Sequence, residues 1–200
     1  MRFFFDSCKD SGRMLAEWAQ TTPANWSSIY SSPRFCYQCS TATEDMCLQY
    51  PCGRNIELNL RLRSASAEGR LGVYIRSGLG NGANPGNILF FFTGGNFLIQ
   101  VYDGGWQTLK SVAFAWTANQ WYNFKARANG QNFQAKIWAV GAPEPAWMLE
   151  SYMSRIEVRG QTVGQSTIRL RVDGAGGEAR DFSEIRVTPI SIYESPYWGL

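Results

Sequence analysis

The sequence predicts an all-β protein, a two-sheet antiparallel sandwich, and three observations support this fold class. The 200-residue chain is rich in aromatic residues (12 Phe, 9 Tyr and 8 Trp) and glycine (20 residues), with few runs that favour helix. From residue 55 onward, apolar and polar residues alternate with the period of two that characterises a half-buried strand. Turn-forming glycines and asparagines separate these runs at short intervals, as they do in sandwiches.

The first 55 residues differ from the rest of the chain. They contain all five cysteines, lack sustained alternation and include the one predicted helix, over about residues 11–20. We interpret residues 1–55 as an irregular Cys-rich N-terminal elaboration whose residues 3–5 supply a first strand. Residues 56–190 then form the sandwich, because all-β units of this size fold as one domain.

Alternation places the strands of the sandwich. Apolar residues at 56, 58, 60 and 62 alternate with Glu57, Asn59, Arg61 and Arg63, which predicts one strand with a polar face. Further strands are predicted at residues 71–76, 88–92, 97–102, 168–172 and 182–187. The strongest local signal is a hairpin over residues 121–138, where the pair Asn129-Gly130 favours a type I′ turn.

The last ten residues follow the final predicted strand. Residues 191–200 carry three large aromatic side chains, Tyr193, Tyr197 and Trp198. Because the sandwich is complete before them, we predict that this segment is a docking tail.

Composition excludes several classes of function. The 19 basic and 16 acidic residues give a formal charge of +3 without a basic stripe, so no nucleic-acid partner is expected. No run approaches the roughly 18 apolar residues of a membrane-spanning helix, and no membrane partner is expected. Three apolar residues follow Arg2, fewer than the roughly seven that a signal peptide needs, so we expect no signal peptide. The absence of histidine excludes serine–histidine and cysteine–histidine nucleophilic machinery.

Four of the cysteines have a spacing that is compatible with a metal site. Cys36, Cys39, Cys47 and Cys52 form the pattern C-x2-C-x7-C-x4-C. Four thiolates in such a pattern can hold one tetrahedral zinc ion and stabilise a segment with little core of its own. The same cysteines can instead form disulfides or stay reduced and structural, and spacing alone does not choose among the three states.

One segment carries a resemblance to a known family. It reads Trp121-Tyr122, a strand with Lys125 and Arg127, the Asn129-Gly130 turn, Ala135-Lys136-Ile137-Trp138, Glu144-Pro145 and finally Trp147. This segment resembles one that is common in concanavalin A-like (laminin-G-like) domains of bacteria and their phages, and residues 181–187 are similar to the last strand of that family. The resemblance covers about residues 55–190.

The resemblance implies a jelly-roll of two antiparallel sheets. The family includes carbohydrate-binding modules, appendages of glycoside hydrolases, and structural or adhesion proteins of phage particles. It also implies calcium beside the terminal strands, where Asp6 and Asp181 stand as candidate ligands. Both residues equally fit ordinary capping or turn carboxylates, because no EF-hand pattern is present.

The distribution of acidic residues argues against catalysis. Related β-glucanases place their catalytic carboxylates on alternate residues of one strand, so that all of them face the cleft. None of the 16 acidic residues here has another acid two positions away. We therefore interpret the closest groupings as loop and surface acids, and we expect a non-enzymatic protein; these groupings are Glu178, Asp181 and Glu184, and Glu144 with Glu150.

Alternation also predicts a candidate contact face. It puts Lys125 and Arg127 on one side of their strand, and Lys136 and Trp138 on one side of its partner. With Tyr74 and Arg76 added, these residues suit a face that stacks sugars and hydrogen-bonds their hydroxyls. The alternative is an amphipathic surface on which arginine and lysine stems cover aromatic rings.

A second contact site is predicted at a hairpin tip. Tyr102 and Trp106 flank an Asp-Gly-Gly turn, an exposed placement for two large aromatic residues.

Taken with the resemblance, these features predict a non-catalytic structural or adhesion protein. We expect a phage virion component on the capsid or tail, made in the host cytoplasm, that packs against itself as a homo-oligomer or against other virion subunits. Contact with a host glycan fits the same role. The alternative is a carbohydrate-binding module, and a glycoside hydrolase is the weakest hypothesis.

Overall fold

The computed structural model describes residues 4–8, 18–20, 25–31, 34–40, 43–48, 52–53, 55–77, 87–153, 167–174 and 177–190. The predicted docking tail, with Tyr193, Tyr197 and Trp198, lies outside these described residues, and so do residues 11–17 of the predicted helix. Within the described ranges, no helix is long and apolar enough to cross a membrane.

The described residues form fifteen strands in two sheets. In chain order they are β1 (Phe4–Asp6), β2 (Trp18–Gln20), β3 (Trp26–Ser31), β4 (Arg34–Cys39), β5 (Glu44–Leu48), β6 (Ile56–Ser64), β7 (Leu71–Ser77), β8 (Ile88–Thr93), β9 (Asn96–Tyr102), β10 (Trp106–Ala113), β11 (Tyr122–Asn129), β12 (Asn132–Ala139), β13 (Leu149–Tyr152), β14 (Thr167–Val172) and β15 (Arg180–Pro189). Sheet A has the order β13-β12-β11-β6-β15-β4-β3, and β1 also pairs with β15. Sheet B has the order β10-β9-β8-β7-β14-β5-β2.

All strand pairs in the two sheets are antiparallel, which confirms the predicted sandwich. Strand β6 alternates buried and half-buried side chains along its whole length, as its sequence predicts. Its buried residues face those of sheet B in one continuous core. At the centre, the ring of Phe124 from sheet A lies 6.0 Å from Phe90 and 6.2 Å from Phe97 of sheet B, measured between centroids.

The hairpin of β11 and β12 is confirmed, but its turn lies one residue later than predicted. Asn129 is the last residue of β11 and pairs with Asn132, so the two turn residues are Gly130 and Gln131. Gly130 has a φ of +58°, whereas Gln131 has no positive φ. A glycine with positive φ at the first central position is the type II′ arrangement, which replaces the predicted type I′ turn.

The Cys-rich segment before residue 55 is more regular than expected where the structure describes it. Strands β1, β3 and β4 extend sheet A, and β2 and β5 extend sheet B. The end of the predicted helix is strand β2, in which Trp18 is 1% exposed and pairs with Leu48 of β5. Burial of this indole in the core outweighs the local preference for helix. The proposed domain boundaries stay a prediction.

Candidate functional site

The outer face of sheet A contains a cleft of about 420 Å³. Four adjacent strands, β12, β11, β6 and β15, form its floor, and the loop after β12 forms one wall. The side chains that face it are those that alternate with core residues, for example Asn59 and Arg61 between the buried Leu58, Leu60 and Leu62. We call this cleft the sheet A cleft; it is lined by Glu57, Asn59, Leu60, Arg61, Asn123, Phe124, Lys125, Trp138, Glu144, Glu184, Arg186 and Thr188.

Strand register brings the lining residues into rows. Asn123 of β11 lies opposite Trp138 of β12 on one side and opposite Arg61 of β6 on the other. The Oδ1 atom of Asn123 accepts a hydrogen bond of 3.2 Å from Arg61 Nε. This row combines an indole, an amide and a guanidinium within three neighbouring strands.

The next row contains two lysines that directly face each other. Lys125 pairs with Lys136, an arrangement that is destabilising when it is uncompensated. Glu144 lies between them, and its Oε1 atom is 2.7 Å from Lys125 Nζ and 2.8 Å from Lys136 Nζ. The carbonyl of Pro145 accepts a further bond of 3.0 Å from Lys136, and Trp147 lies beneath the same ammonium at 4.4 Å. Glu144, Pro145 and Trp147, the loop residues of the family-like segment, therefore hold the ammonium group of Lys136 in place.

A β-bulge places the second carboxylate in the cleft. The register of β15 with β6 shifts between Ser183 and Arg186, and Glu184 there adopts a φ of +52°. A positive φ is uncommon for a non-glycine residue and bulges often redirect side chains. The Oε1 atom of Glu184 lies 2.5 Å from an Nη1 atom of Arg34 and 2.8 Å from that of Arg61.

The third carboxylate, Glu57, is held by β11 and by its own strand. Its Oε2 atom accepts a bond of 2.8 Å from Arg127, and its Oε1 atom accepts one of 3.1 Å from Asn59. Burial alone would raise the pKa of Glu57, but these two hydrogen bonds together with the positive charges of Lys125 and Arg127 outweigh it and hold the pKa below its usual value. Hydrogen bonds from Lys125 and Lys136 lower the pKa of Glu144 in the same way.

A network of fixed cations flanks the cleft. Asp181 is fully buried and accepts bonds from Arg63 Nε at 2.6 Å and from Gln38 Nε2 at 2.8 Å. The guanidinium groups of Arg63 and Arg34 lie over the ring of Trp121 at 4.9 and 5.5 Å. Asp181 is therefore a structural anchor, and its interpretation as a surface acid is corrected.

The two candidate calcium ligands lie in different environments. Asp6 is 1% exposed and accepts hydrogen bonds from the Cys8 amide (2.8 Å), Trp18 Nε1 (3.0 Å) and Tyr37 Oη (2.5 Å). Asp181 is enclosed by the donors given above. Each carboxylate accepts hydrogen bonds from protein donors, and a calcium ion at either one stays a prediction.

The structure does not bring the four candidate zinc ligands together. Cys36 and Cys39 are three residues apart on β4 and so lie on opposite faces of sheet A, while Cys47 belongs to sheet B. Among the described residues, no group of three or more metal-ligating side chains is placed to hold an ion. All five cysteines, Cys8 and Cys52 included, are buried, and their zinc-bound, disulfide or reduced state stays a prediction.

The predicted contact face is divided between two sheets. Lys125, Arg127, Lys136 and Trp138 share the outer face of sheet A, as predicted. Tyr74, Tyr102 and Trp106 lie instead on the outer face of sheet B, where the Trp106 ring is 5.7 Å from Tyr74 and 5.2 Å from Tyr102.

Arg76 belongs to neither face. It is 4% exposed, has a φ of +56°, and its guanidinium carbon lies 4.8 Å from the core ring of Phe133. The shifted register of β7 and β14 near this residue turns its side chain inward, and alternation cannot reveal such a shift.

Several cleft residues were outside the predicted face. Asn59 and Arg61 were identified only as the polar side of their strand, and Glu184 only as a surface acid. Their convergence depends on the neighbouring positions of β6, β11 and β15, which are separated by more than fifty residues in sequence. The polar side of β6 can be recognised in the sequence. That pattern does not, however, identify which strands lie next to β6 in the sheet.

Comparison with known proteins shows which fold the chain has, but it does not assign the chain to a family. No protein-family model matches the chain, and no curated protein matches it in sequence. The carbohydrate-binding module CBM66 from Bacillus subtilis has a TM-score of 0.61 at 12% identity, over 84% of this chain and 93% of that one. The fold is the concanavalin A-like jelly-roll.

Two further structures agree with this jelly-roll assignment. The exoplasmic/lumenal domain of VIP36, in a form bound to Ca2+ and Man3GlcNAc, has a TM-score of 0.63 at 11% identity, over 92% of this chain and 88% of that one. Lectin UEA-II complexed with galactose has a TM-score of 0.65 at 8% identity, over 94% and 98%. The fold that was implied by the segment from Trp121 to Trp147 is thus confirmed.

Proposed function

We propose that the protein is a non-catalytic carbohydrate-binding module that holds a sugar in the sheet A cleft. The observation that carries this proposal is the row of Trp138, Asn123 and Arg61 on three adjacent strands. An indole offers a flat apolar surface for the face of a sugar ring, and the amide and guanidinium offer hydrogen bonds to its substituents. We therefore prefer the carbohydrate-binding module, which was the alternative hypothesis from the sequence, over the virion role.

The indole of Trp138 is available for such a contact. The side chain is half-buried and lines the cleft, yet within the described structure it takes part in no ring contact or side-chain hydrogen bond. The other two tryptophans of the family-like segment are already covered by arginine or lysine. A volume of about 420 Å³ lies within the range of small-molecule sites, which runs from about 300 to 1,000 Å³.

The state of the carboxylates supports binding without turnover. A glycoside hydrolase needs a carboxylic acid that keeps its proton near neutral pH, and therefore has a raised pKa. The pKa values of Glu57 and Glu144 are instead held low by cationic partners, so both are ionised acceptors. Glu184 likewise binds two guanidinium groups.

The proposed function predicts sugar binding that depends on Trp138. A glycan array should give reproducible hits, and calorimetric titration with the best hit should lose about tenfold or more in affinity in Trp138→Ala, since stacking on an aromatic ring contributes about 1–3 kcal/mol. Trp106→Ala removes the same residue type from the outer face of sheet B and is the matched control. Loss in Trp106→Ala but not in Trp138→Ala would move the site to sheet B and contradict the proposal.

Two remaining expectations have separate tests. Repeating the titration with a chelator tests calcium dependence, which is motivated by the Ca2+-bound form of VIP36. Native mass spectrometry measures the mass of the assembly and so tests the expected homo-oligomer. The phage virion role, with other virion subunits as partners, stays a prediction of the sequence analysis.

A further inference from the structure

The sheet A cleft carries more positive than negative charge. Three carboxylates line it, while six cationic side chains line it or bind those carboxylates; the carboxylates are Glu57, Glu144 and Glu184, and the cations are Arg34, Arg61, Lys125, Arg127, Lys136 and Arg186. Two of the three extra cations arise because Glu144 and Glu184 each bind two, and the third is Arg186 in the lining.

Several hydrogen-bond donors in the cleft are available to a ligand. Arg61 uses Nε on Asn123 and Nη1 on Glu184, which leaves its Nη2 group without a partner in the described structure. Asn123 forms a hydrogen bond only through its carbonyl oxygen, so its two amide N–H groups remain available to a ligand. Lys125 makes one bond, to Glu144, out of the three that an ammonium can donate.

Each carboxylate in the cleft is paired with at least one cation. Both oxygens of Glu57 receive a hydrogen bond, from Arg127 and Asn59. One oxygen of Glu144 receives two lysines, and one oxygen of Glu184 receives two arginines. A ligand that enters this cleft therefore meets the N–H donors of Arg61, Asn123 and Lys125 beside the open indole of Trp138, and the carboxylates there are already paired with cations.

We propose that the ligand of the sheet A cleft is an acidic glycan, one whose rings carry carboxylate or sulfate groups; this rests on the proposed function. A neutral sugar presents hydroxyls that both donate and accept, whereas a carboxylate or sulfate only accepts. Charge-assisted bonds from guanidinium and ammonium groups are about twice as strong as neutral ones. Stacking on Trp138 holds the ring, and the donors of Arg61, Asn123 and Lys125 select its charged substituent.

The test compares matched ligands on the full chain. One pair is an oligogalacturonide and its carboxyl-reduced counterpart; the second is a sulfated galactan oligomer and its desulfated counterpart. We expect at least one acidic member to bind about tenfold or more tightly than its neutral partner, and to weaken as salt rises. The two pairs distinguish carboxylate from sulfate recognition. Polyglutamate, an anion without sugar rings, is the specificity control.

Variants separate this inference from the proposed function. Arg61→Gln should reduce the preference for the acidic member, whereas Lys110→Gln, which removes an exposed charge from β10 of sheet B, should leave it unchanged. Circular dichroism melts confirm that each variant is folded. Because Glu184 keeps Arg34 as a partner, the Arg61 variant leaves that carboxylate neutralised.

Three results would overturn the inference. Equal binding of acidic and neutral partners that is lost in Trp138→Ala would contradict the acidic ligand while supporting sugar binding. Polyglutamate binding as tight as that of the acidic oligomers would mean simple charge attraction. If neither these ligands nor any glycan on the array bound, both this inference and the proposed function would be wrong.

Discussion

Arg61 and Asn123 face each other across β6 and β11, and Arg61 Nε donates a 3.2 Å hydrogen bond to Asn123 Oδ1. This bond fixes the orientation of the amide, because the carbonyl oxygen is held toward Arg61. The amide nitrogen of Asn123 is consequently left to the cleft as a donor beside Trp138, its neighbour on β12. The hydrogen bond between the two strands thus leaves an N–H donor of Asn123, and not its carbonyl oxygen, for a ligand.

Asn123→Asp should weaken binding of an acidic glycan by about tenfold or more, because it replaces a donor by a charged acceptor. Folding should be preserved, since the new carboxylate still accepts the bond from Arg61. Titration calorimetry with the best acidic ligand measures the effect. Gln107→Glu makes the same chemical change on the exposed strand β10 and should bind like the wild type. Unchanged affinity in Asn123→Asp would show that this amide does not contact the ligand.

Glu57→Gln should lower stability at neutral pH but not in acid. The folded-state pKa of Glu57 lies below its usual value of 4.5, because Arg127, Asn59 and Lys125 together outweigh its burial. Its ionised form therefore stabilises the fold above about pH 4.5, and this contribution is lost as the pH falls through the lowered folded-state pKa. For a half-exposed pair the loss at pH 7 should be about 0.2–1 kcal/mol. Urea denaturation of both proteins across this pH range measures the difference, which should vanish at the acid end. A difference that persisted there would contradict the electrostatic explanation.

The cysteine thiols should be unreactive in the native protein. Burial raises the pKa of Cys36 to about 12 and that of Cys52 to about 11, and it raises the pKa of Cys8 well above the usual value. Since the thiolate is the reactive form, a raised pKa leaves almost none of it at pH 8. A chromogenic thiol reagent should label less than one cysteine per native chain within minutes, and all five in denaturant. Rapid native labelling of Cys36 or Cys52 would contradict this burial.

Gly72→Ala should destabilise the sandwich. A Cβ atom at Gly72 would lie 2.6 Å from the carbonyl oxygen of Phe90 and 2.7 Å from the Phe91 ring, and the backbone atom cannot move aside cheaply. Overpacking of this kind costs about 1–3 kcal/mol. Chemical denaturation measures it, with Gly105→Ala as control because a Cβ there meets nothing within 4 Å. Equal stability of the two variants would mean that β7 and β8 are less tightly apposed than described.

Particular residues show how far the sequence alone predicts this protein. Alternation predicted the polar face of β6, the hairpin of β11 and β12, and the shared face of Lys125 and Trp138. It failed at Arg76 and at Glu184, since a bulge changes the direction of a side chain without leaving a clear local pattern. It also failed at Trp18, where pairing with β5 selected a strand over a helix.

The sequence by itself determined the sandwich, because alternation with a period of two is a local consequence of burying one face of a sheet. It also determined which residues of each strand are polar. Only the tertiary structure decided which strands are neighbours, and hence that Glu57, Glu144 and Glu184 share one cleft while Tyr74 and Trp106 lie on the other sheet. The physical reason is that strand order depends on contacts between residues far apart in the chain, which no local periodicity records.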